Sequence, residues 1–250
     1  MAWLSLSILT AAFLYTAVGG ARDWRRFTAT DSADIRRHFF RKWILDTWLA
    51  LGLGAVVTTW MIGRTDLLLE PLPHTDLGAT LARAAPSDSG AVSGFYVGIG
   101  IGLVAAVAVL VLRLRRAART MRSTDRTTSP MLPRSRSEKL LAAHLSVAAG
   151  VAEELFFRAA VPVAVFTVTD SFLASLVTGV VLFGLYHYYQ GVKGVLATGF
   201  IGFILTRVFL STGNILAPMA LHIFIDVWGL ILFPALLTAR SRRRGERLQA

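Results

Sequence analysis

The chain of 250 residues has no cysteine. That excludes disulfides, cysteine nucleophiles, thiolate metal sites and iron–sulfur clusters together. Charge is also scarce: 16% of the residues are Asp, Glu, Lys or Arg, against about 25% in a soluble domain. With 54% hydrophobic residues and a mean hydropathy of +0.58, an ordinary soluble protein is excluded as well. No Walker A or Gly-x-Gly-x-x-Gly loop follows a strand, so nucleotide-driven transport would have no motor. Three known devices for cutting peptides inside a membrane are missing too. There is no His-Glu-x-x-His helix for zinc. Neither Asp170 nor Asp226 lies in a Gly-x-Gly-Asp context, and Gly90-Ala-Val-Ser93-Gly94 has the wrong spacing for Gly-x-Ser-Gly and sits at a span edge.

What is present is grease and arginine. The 26 basic residues outnumber the 15 acidic ones, for a net charge of +11 and a pI near 11.1. A nucleic-acid binder could share that pI, but not with this hydropathy. In a membrane protein the excess follows from the basic loops that stay on the cytoplasmic side. A spanning helix needs roughly 20 mostly apolar residues, and seven stretches come close. They are Trp3–Val18, Trp43–Ile62, Ala91–Leu112, Leu140–Val165, Phe172–Tyr189, Val195–Leu210 and Ile215–Leu237. The first ends in a signal-peptidase-like Ala-Val-Gly-Gly-Ala. It has no basic residues before it and Arg22, Arg25 and Arg26 after it, which reads as an uncleaved anchor with its N-terminus outside. The expectation is an all-α polytopic bundle of about seven transmembrane helices.

Loop charge agrees with that topology. The 1–2 loop carries Arg22, Arg25, Arg26, Arg36, Arg37, Arg41 and Lys42, and the 3–4 loop runs from Arg113 to Lys139 with nine basic residues. The 2–3 loop between them holds only Arg64 and Arg83 against four acids. Alternate loops are basic, as seven spans with a cytoplasmic C-terminus require, so the protein is expected in the cell (inner) membrane. The Arg242–Arg244 run is read as a topology determinant lying on lipid headgroups rather than a nucleic-acid site. The Ser-, Thr- and Pro-rich stretch from Ser123 to Ser137 reads as a linker. The organisation expected is therefore a three-helix region over 1–112, a basic linker over 113–139, a four-helix core over 140–238 and a basic tail over 239–250.

Ionisable groups inside a bilayer are costly and mark function by default. The first three spans offer only Asp46, which could snorkel to the headgroups. The last four hold Glu153, Glu154, Arg158, His187, Arg207, His222 and Asp226. Glu154 and Arg158 are i,i+4 in the order that favours an ion pair. That pair leaves Glu153 about 100° round the helix, an unpaired carboxylate suited to general acid or base work. The alternative is a salt bridge that merely joins helices. His187 shares a face with Phe183, although its neighbours Tyr186, Tyr188 and Tyr189 also suit an interfacial aromatic belt. His222 and Asp226 share a face of an apolar helix. At that spacing the pair can fix an imidazole tautomer, bind metal or relay protons, or simply satisfy itself. His144 lies about 180° from Glu153, His38 and His74 fall in loops, and Arg207 has no evident partner in the sequence.

Glu153-Glu154-Leu-Phe-Phe-Arg158, Phe183-Gly-Leu-Tyr-His187 and His222-Ile-Phe-Ile-Asp226 stand in order on successive spans. Together they resemble the motifs of the CAAX protease and bacteriocin-processing family (CPBP, or Abi), over roughly residues 139–238. The resemblance implies a glutamate-dependent intramembrane endopeptidase acting on a membrane-embedded or lipidated protein or peptide, with no cofactor. It implies that Glu153 and His187 activate a water, that Glu154 and Arg158 hold the helix geometry, and that His222 and residue 226 face the oxyanion. Position 226 is Asp where the family's well-understood members carry Asn. An ionised Asp cannot donate to an oxyanion, so Asp226 must either keep its proton or orient His222.

Depth is the remaining tension. At ~1.5 Å per residue, Glu153, His222 and Asp226 fall roughly 16–22 Å from the cytoplasmic boundary and His187 only about 5 Å. Either the fifth helix continues past Gln190 or a cytoplasm-facing cavity dips to meet it. Within enzymes, the alternative is a metallopeptidase whose zinc is held by Glu153, His187 and His222, an acceptable catalytic set. Outside enzymes, the alternatives are a non-catalytic membrane scaffold or immunity partner and a transporter using these residues as a proton path.

Overall fold

The computed structural model describes residues 1–29, 32–66 and 131–236. The third expected span (Ala91–Leu112), the acidic 2–3 loop, most of the basic linker and the basic tail lie outside the described residues. No strand occurs among those described. Five helices are long and apolar enough to cross a membrane: Ala2–Thr28, Ala33–Ile62, Arg136–Thr169, Tyr188–Thr212 and Leu216–Leu236. A sixth, Phe172–Tyr186, is apolar but shorter. The protein is an all-α, multi-pass membrane helix bundle.

Helix α1 (Ala2–Thr28) runs ten residues beyond the apolar stretch that announces it. Hydropathy measures how much chain suits the bilayer interior, whereas a helix goes on until a breaker or a cap stops it. Arg25 and Arg26 lie in its last turn, where positive charge suits the helix dipole. Helix α2 (Ala33–Asp46) begins just after it. The basic residues expected in the 1–2 loop therefore ride on two helix ends, and His38 stands on α2 rather than in a loop. A π-turn, Thr47–Leu53, carries α2 into α3 (Gly54–Ile62).

The middle of the bundle is one 34-residue helix, Arg136–Thr169, whose apolar window is 61% buried while those of the other spans are 17–39% buried. Its first section, α4 (Arg136–Glu154), starts at Ser135, whose hydroxyl accepts from the Glu138 N–H. The Glu138 carboxylate is itself buried. It accepts from the Arg134 N–H at 2.7 Å and from the Arg36 guanidinium of α2 at 3.3 Å, tying α2 to α4. A π-turn over Leu155–Ala160 interrupts the helix before α5 (Val161–Thr169). Pro162 sits in the first turn of α5. It has no N–H to give and its ring crowds the carbonyl four residues back, so a widened turn immediately upstream relieves the ladder.

Helices α6 (Phe172–Tyr186), α7 (Gly191–Thr212) and α8 (Leu216–Val227, extended by a π-turn over Trp228–Leu232) surround that centre. Leu173, Val177, Val181 and Leu185 form an exposed i,i+4 stripe on α6, a face for lipid. Lipid tails are as apolar as leucine, so helices here associate by close packing rather than by escape from water. The heaviest packing joins α4 to α8 and α6 to α7. At Gly150 the approach of α8 is so close that a Cβ would stand 2.4 Å from Ile223 Cγ1, 2.9 Å from the Ile223 backbone nitrogen and 3.2 Å from the Met219 carbonyl.

Gly150→Ala should therefore destabilise the bundle by about 1–3 kcal/mol, more than alanine's helix propensity returns. Thermal unfolding in detergent will show a lowered midpoint for Gly150→Ala. Gly19→Ala, where nothing lies within 4 Å of the new methyl, will show no loss.

Candidate active site

Glu153 and Glu154 are the last two residues of α4, and Arg158 lies in the π-turn that follows. All three side chains are buried. The Arg158 guanidinium donates to Glu154 Oε1 at 3.0 Å and to the Gly202 carbonyl of α7 at 3.1 Å. Its Cζ also lies 4.2 Å above the Phe183 ring of α6. One arginine thus fastens α6 and α7 to the central helix. Gly202 permits it, because a Cβ there would stand 2.8 Å from Phe183 Cδ1.

Glu154 Oε1 accepts a second hydrogen bond, from His222 Nδ1 of α8 at 2.8 Å. The sequence pairs His222 with Asp226, its neighbour one turn along. In the fold the bond runs across helices instead, and Asp226 Oδ2 stays 3.9 Å from His222 Nε2. The carboxylate that sets the His222 tautomer is therefore Glu154, and the imidazole presents Nε2. Helix packing decides this: the tight α4–α8 contact at Gly150 brings Glu154 closer to His222 than the i,i+4 spacing brings Asp226.

Both bonds to Glu154 fall on Oε1, leaving its Oε2 without a partner, while among the described residues no hydrogen bond reaches Glu153. Its side chain is 5% exposed, and its Oε2 has no hydrogen-bond partner. A buried polar atom without a partner is uncommon and calls for a reason, and an unoccupied carboxylate oxygen is what water activation needs.

His187 arrives by a different route from the one expected. Helix α6 does not continue past Gln190; it ends at Tyr186, and His187 is the residue that terminates it. A single 3₁₀ turn, Tyr188–Gln190, then redirects the chain into α7. The His187 Nδ1–H donates to the Phe183 carbonyl at 2.9 Å, which leaves Nε2 as the available nitrogen. The Phe183 ring stands between the two histidines, 5.1 Å from His187 and 5.7 Å from His222, centre to centre. Phe183 thus touches Arg158, His187 and His222, while Glu154 joins Arg158 to His222 and Asp226 lies beside His222.

The rest of the polar inventory lies elsewhere. His144 is exposed on α4, and His38 is exposed on α2. Arg207 is not without a partner. Asp46 does not reach for headgroups alone: Lys42 Nζ bridges its carboxylate at 2.5 Å and that of Asp23 at 2.7 Å, and the Tyr15 hydroxyl donates to it at 3.3 Å. The three π-turns and the anchoring Gly202 carbonyl are invisible to motif reading, although two glycines three apart on an apolar helix (Gly199, Gly202) do signal a close approach. Tyr186 and Tyr189, which read as an interfacial belt, instead pack on the His187 ring at 5.2 and 6.0 Å. Among the described residues no three His, Asp or Glu side chains converge as metal ligands.

Residues 136–228 match the model of the Rce1-like family, described as type II CAAX prenyl endopeptidase Rce1-like. This part of the chain is similar to the CAAX proteases. The match spans α4 to α8 and includes Glu153, Glu154, Arg158, His187, His222 and Asp226, while α1 to α3 precede it. Comparison with curated proteins found no match, and comparison with solved structures found none either.

Arg158 and Glu154 form a buried guanidinium–carboxylate pair, so removal of one partner strands a charge. Arg158→Met should cost about 3–5 kcal/mol and unfold the bundle at a visibly lower temperature in detergent. Glu153→Gln, which breaks no hydrogen bond to its free Oε2, should leave the unfolding midpoint nearly unchanged.

Proposed function

We propose that this protein is an intramembrane endopeptidase that hydrolyses a peptide bond of a membrane-embedded or lipidated protein or peptide, using a water activated by Glu153 and His187. The observation that carries this reading is the division of labour between adjacent carboxylates. Glu154 accepts two hydrogen bonds on Oε1, from Arg158 and His222, and leaves its Oε2 without a partner, whereas among the described residues Glu153 is buried and accepts none. A carboxylate with no bonded partner is available to a water in a way that its neighbour, held by two, is not.

In the proposed reaction Glu153 and His187 Nε2 flank a water. The carboxylate takes one of its protons as the oxygen adds to the scissile carbonyl carbon. The carbonyl π electrons move to oxygen, and His222, acting as the imidazolium with its Nδ1–H held by Glu154, supplies its Nε2–H to that oxyanion. Collapse re-forms the carbonyl, breaks the C–N bond and passes the proton held by Glu153 to the departing amine. No covalent intermediate forms. Asp226, 3.9 Å from His222 Nε2, acts as a charge partner that orients and stabilises the imidazolium rather than as an oxyanion donor. Arg158 keeps Glu154 ionised and in place. The family description favours a prenylated C-terminal peptide as the substrate class, and the alternation of loop charge favours a site entered from the cytoplasmic side with the N-terminus outside.

The test compares membrane and secreted peptidomes of cells carrying wild type or Glu153→Gln at matched, stably inserted levels, together with turnover of a farnesylated Cys-aliphatic-aliphatic-X peptide by each purified protein. Glu153→Gln should lower turnover by at least ~100-fold and remove a discrete set of cleavage products. Matching peptidomes and equal turnover would overturn the hydrolase reading and favour a scaffold or immunity partner.

A further inference from the structure

His187 differs from the other site residues in having no helix to stand on. It follows the end of α6 with φ −92° and ψ 19°, and the chain turns away within three residues into a Gly191 at φ +75°. One hydrogen bond, to the Phe183 carbonyl, fixes one ring nitrogen. The other restraints on the imidazole are rings: Phe183 and Tyr186 from α6, and Tyr189 from the 3₁₀ turn.

Phe183 and Tyr186 are fixed by the central helix, since Phe157 packs on both at 5.4 and 5.7 Å. Tyr189 has no such ring from the central helix; inside the matched segment its hydroxyl accepts from the Gln190 side chain at 3.1 Å. Its ring is held by Trp24 of α1 at 5.2 Å and by Trp43 of α2 at 5.2 Å, the latter edge-on at 78°. Those indoles are themselves wedged. Trp43 lies 4.3 Å from Phe39, Trp24 lies 5.8 Å from Phe27, and Phe27 stacks on Phe39 at 4.1 Å. Such ring pairs favour offset or edge-on geometries, which gives each contact a direction as well as an area. A chain of aromatic rings from two helices that precede the family segment thus ends on the imidazole.

We propose that Trp24 and Trp43 are positioning residues for His187, acting through Tyr189, so that the N-terminal helices complete a site whose chemistry is all carried elsewhere. This rests on the reading of His187 as the partner of Glu153 in water activation. Misplacing a reacting group by an ångström costs on the order of 100-fold, and a residue outside regular helix is the one most exposed to that loss.

The experiment uses the full chain in detergent micelles, with the farnesylated peptide as substrate. Trp43→Ala should lower kcat roughly 10- to 100-fold with KM changed less than about twofold, and Trp43→Phe should restore most of it. In a His187→Ala background Trp43→Ala should cost nothing further, because the two act as one unit. An equal loss in both backgrounds would overturn the proposal. A second measurement does not depend on turnover. The His187 imidazole Cε1–H resonance, assigned by its absence in His187→Gln, should shift or broaden in Trp43→Ala and recover in Trp43→Phe. A resonance unmoved by Trp43→Ala overturns the proposal. Equal turnover by wild type and Glu153→Gln would instead defeat the proteolytic reading, with the resonance still deciding the positioning role.

Discussion

The arrangement depends on a single carboxylate, Glu154, that no water reaches. In a bilayer an ionised acid must be paired or it will not stay ionised, and Glu154 is paired twice, by Arg158 from its own helix and by His222 from α8. Those two bonds define the rest. Arg158, drawn to Glu154, presents its other nitrogen to the Gly202 carbonyl and its flat face to Phe183, and so locates α7 and α6. His222, drawn to the same oxygen, brings α8 over α4. Glu153 is left free because its neighbour is not.

The neighbouring backbone is shaped to allow this. Helices in lipid pack only as closely as their side chains permit, and the two closest approaches fall at Gly150, one turn before the acids, and at Gly202, beneath Phe183. Between them the central helix opens into a π-turn over Leu155–Ala160, directly after Glu154. Such turns recur at functional sites because they shift the register of side chains without ending the helix. Here the cause lies in the sequence just downstream, where Pro162 cannot complete an ordinary ladder. A second buried ion pair, Arg36 with Glu138, does for the N-terminal end of the central helix what Arg158 does for its middle. It anchors α2, and with it the aromatic ring chain that reaches His187.

Much of this was readable beforehand. The grease, the alternating loop charge and the run lengths specify a multi-pass helical protein, because the bilayer permits little else. The concentration of ionisable residues in the last four spans is visible in the sequence, and the Glu154–Arg158 pair follows from i,i+4 spacing alone. Three things were not readable. Helix ends at the water side were misjudged, as at Thr28, because hydropathy marks the bilayer rather than the helix. The partner of His222 was taken from its own helix, as Asp226, because sequence spacing sees only one helix at a time. Tyr186 and Tyr189 looked like membrane-interface residues, since an aromatic belt and an aromatic box have the same composition.

The sequence by itself determined that this chain lives in a membrane, which spans carry its polar residues, and which local pairs they form, since these follow from the 3.6-residue period and the cost of burying charge. Only the tertiary structure decided that Glu154, not Asp226, holds His222, that Glu153 is the carboxylate no hydrogen bond reaches, and that His187 leans through Tyr189 on rings from α1 and α2. Each is a contact between helices far apart in sequence, set by how closely two backbones can approach.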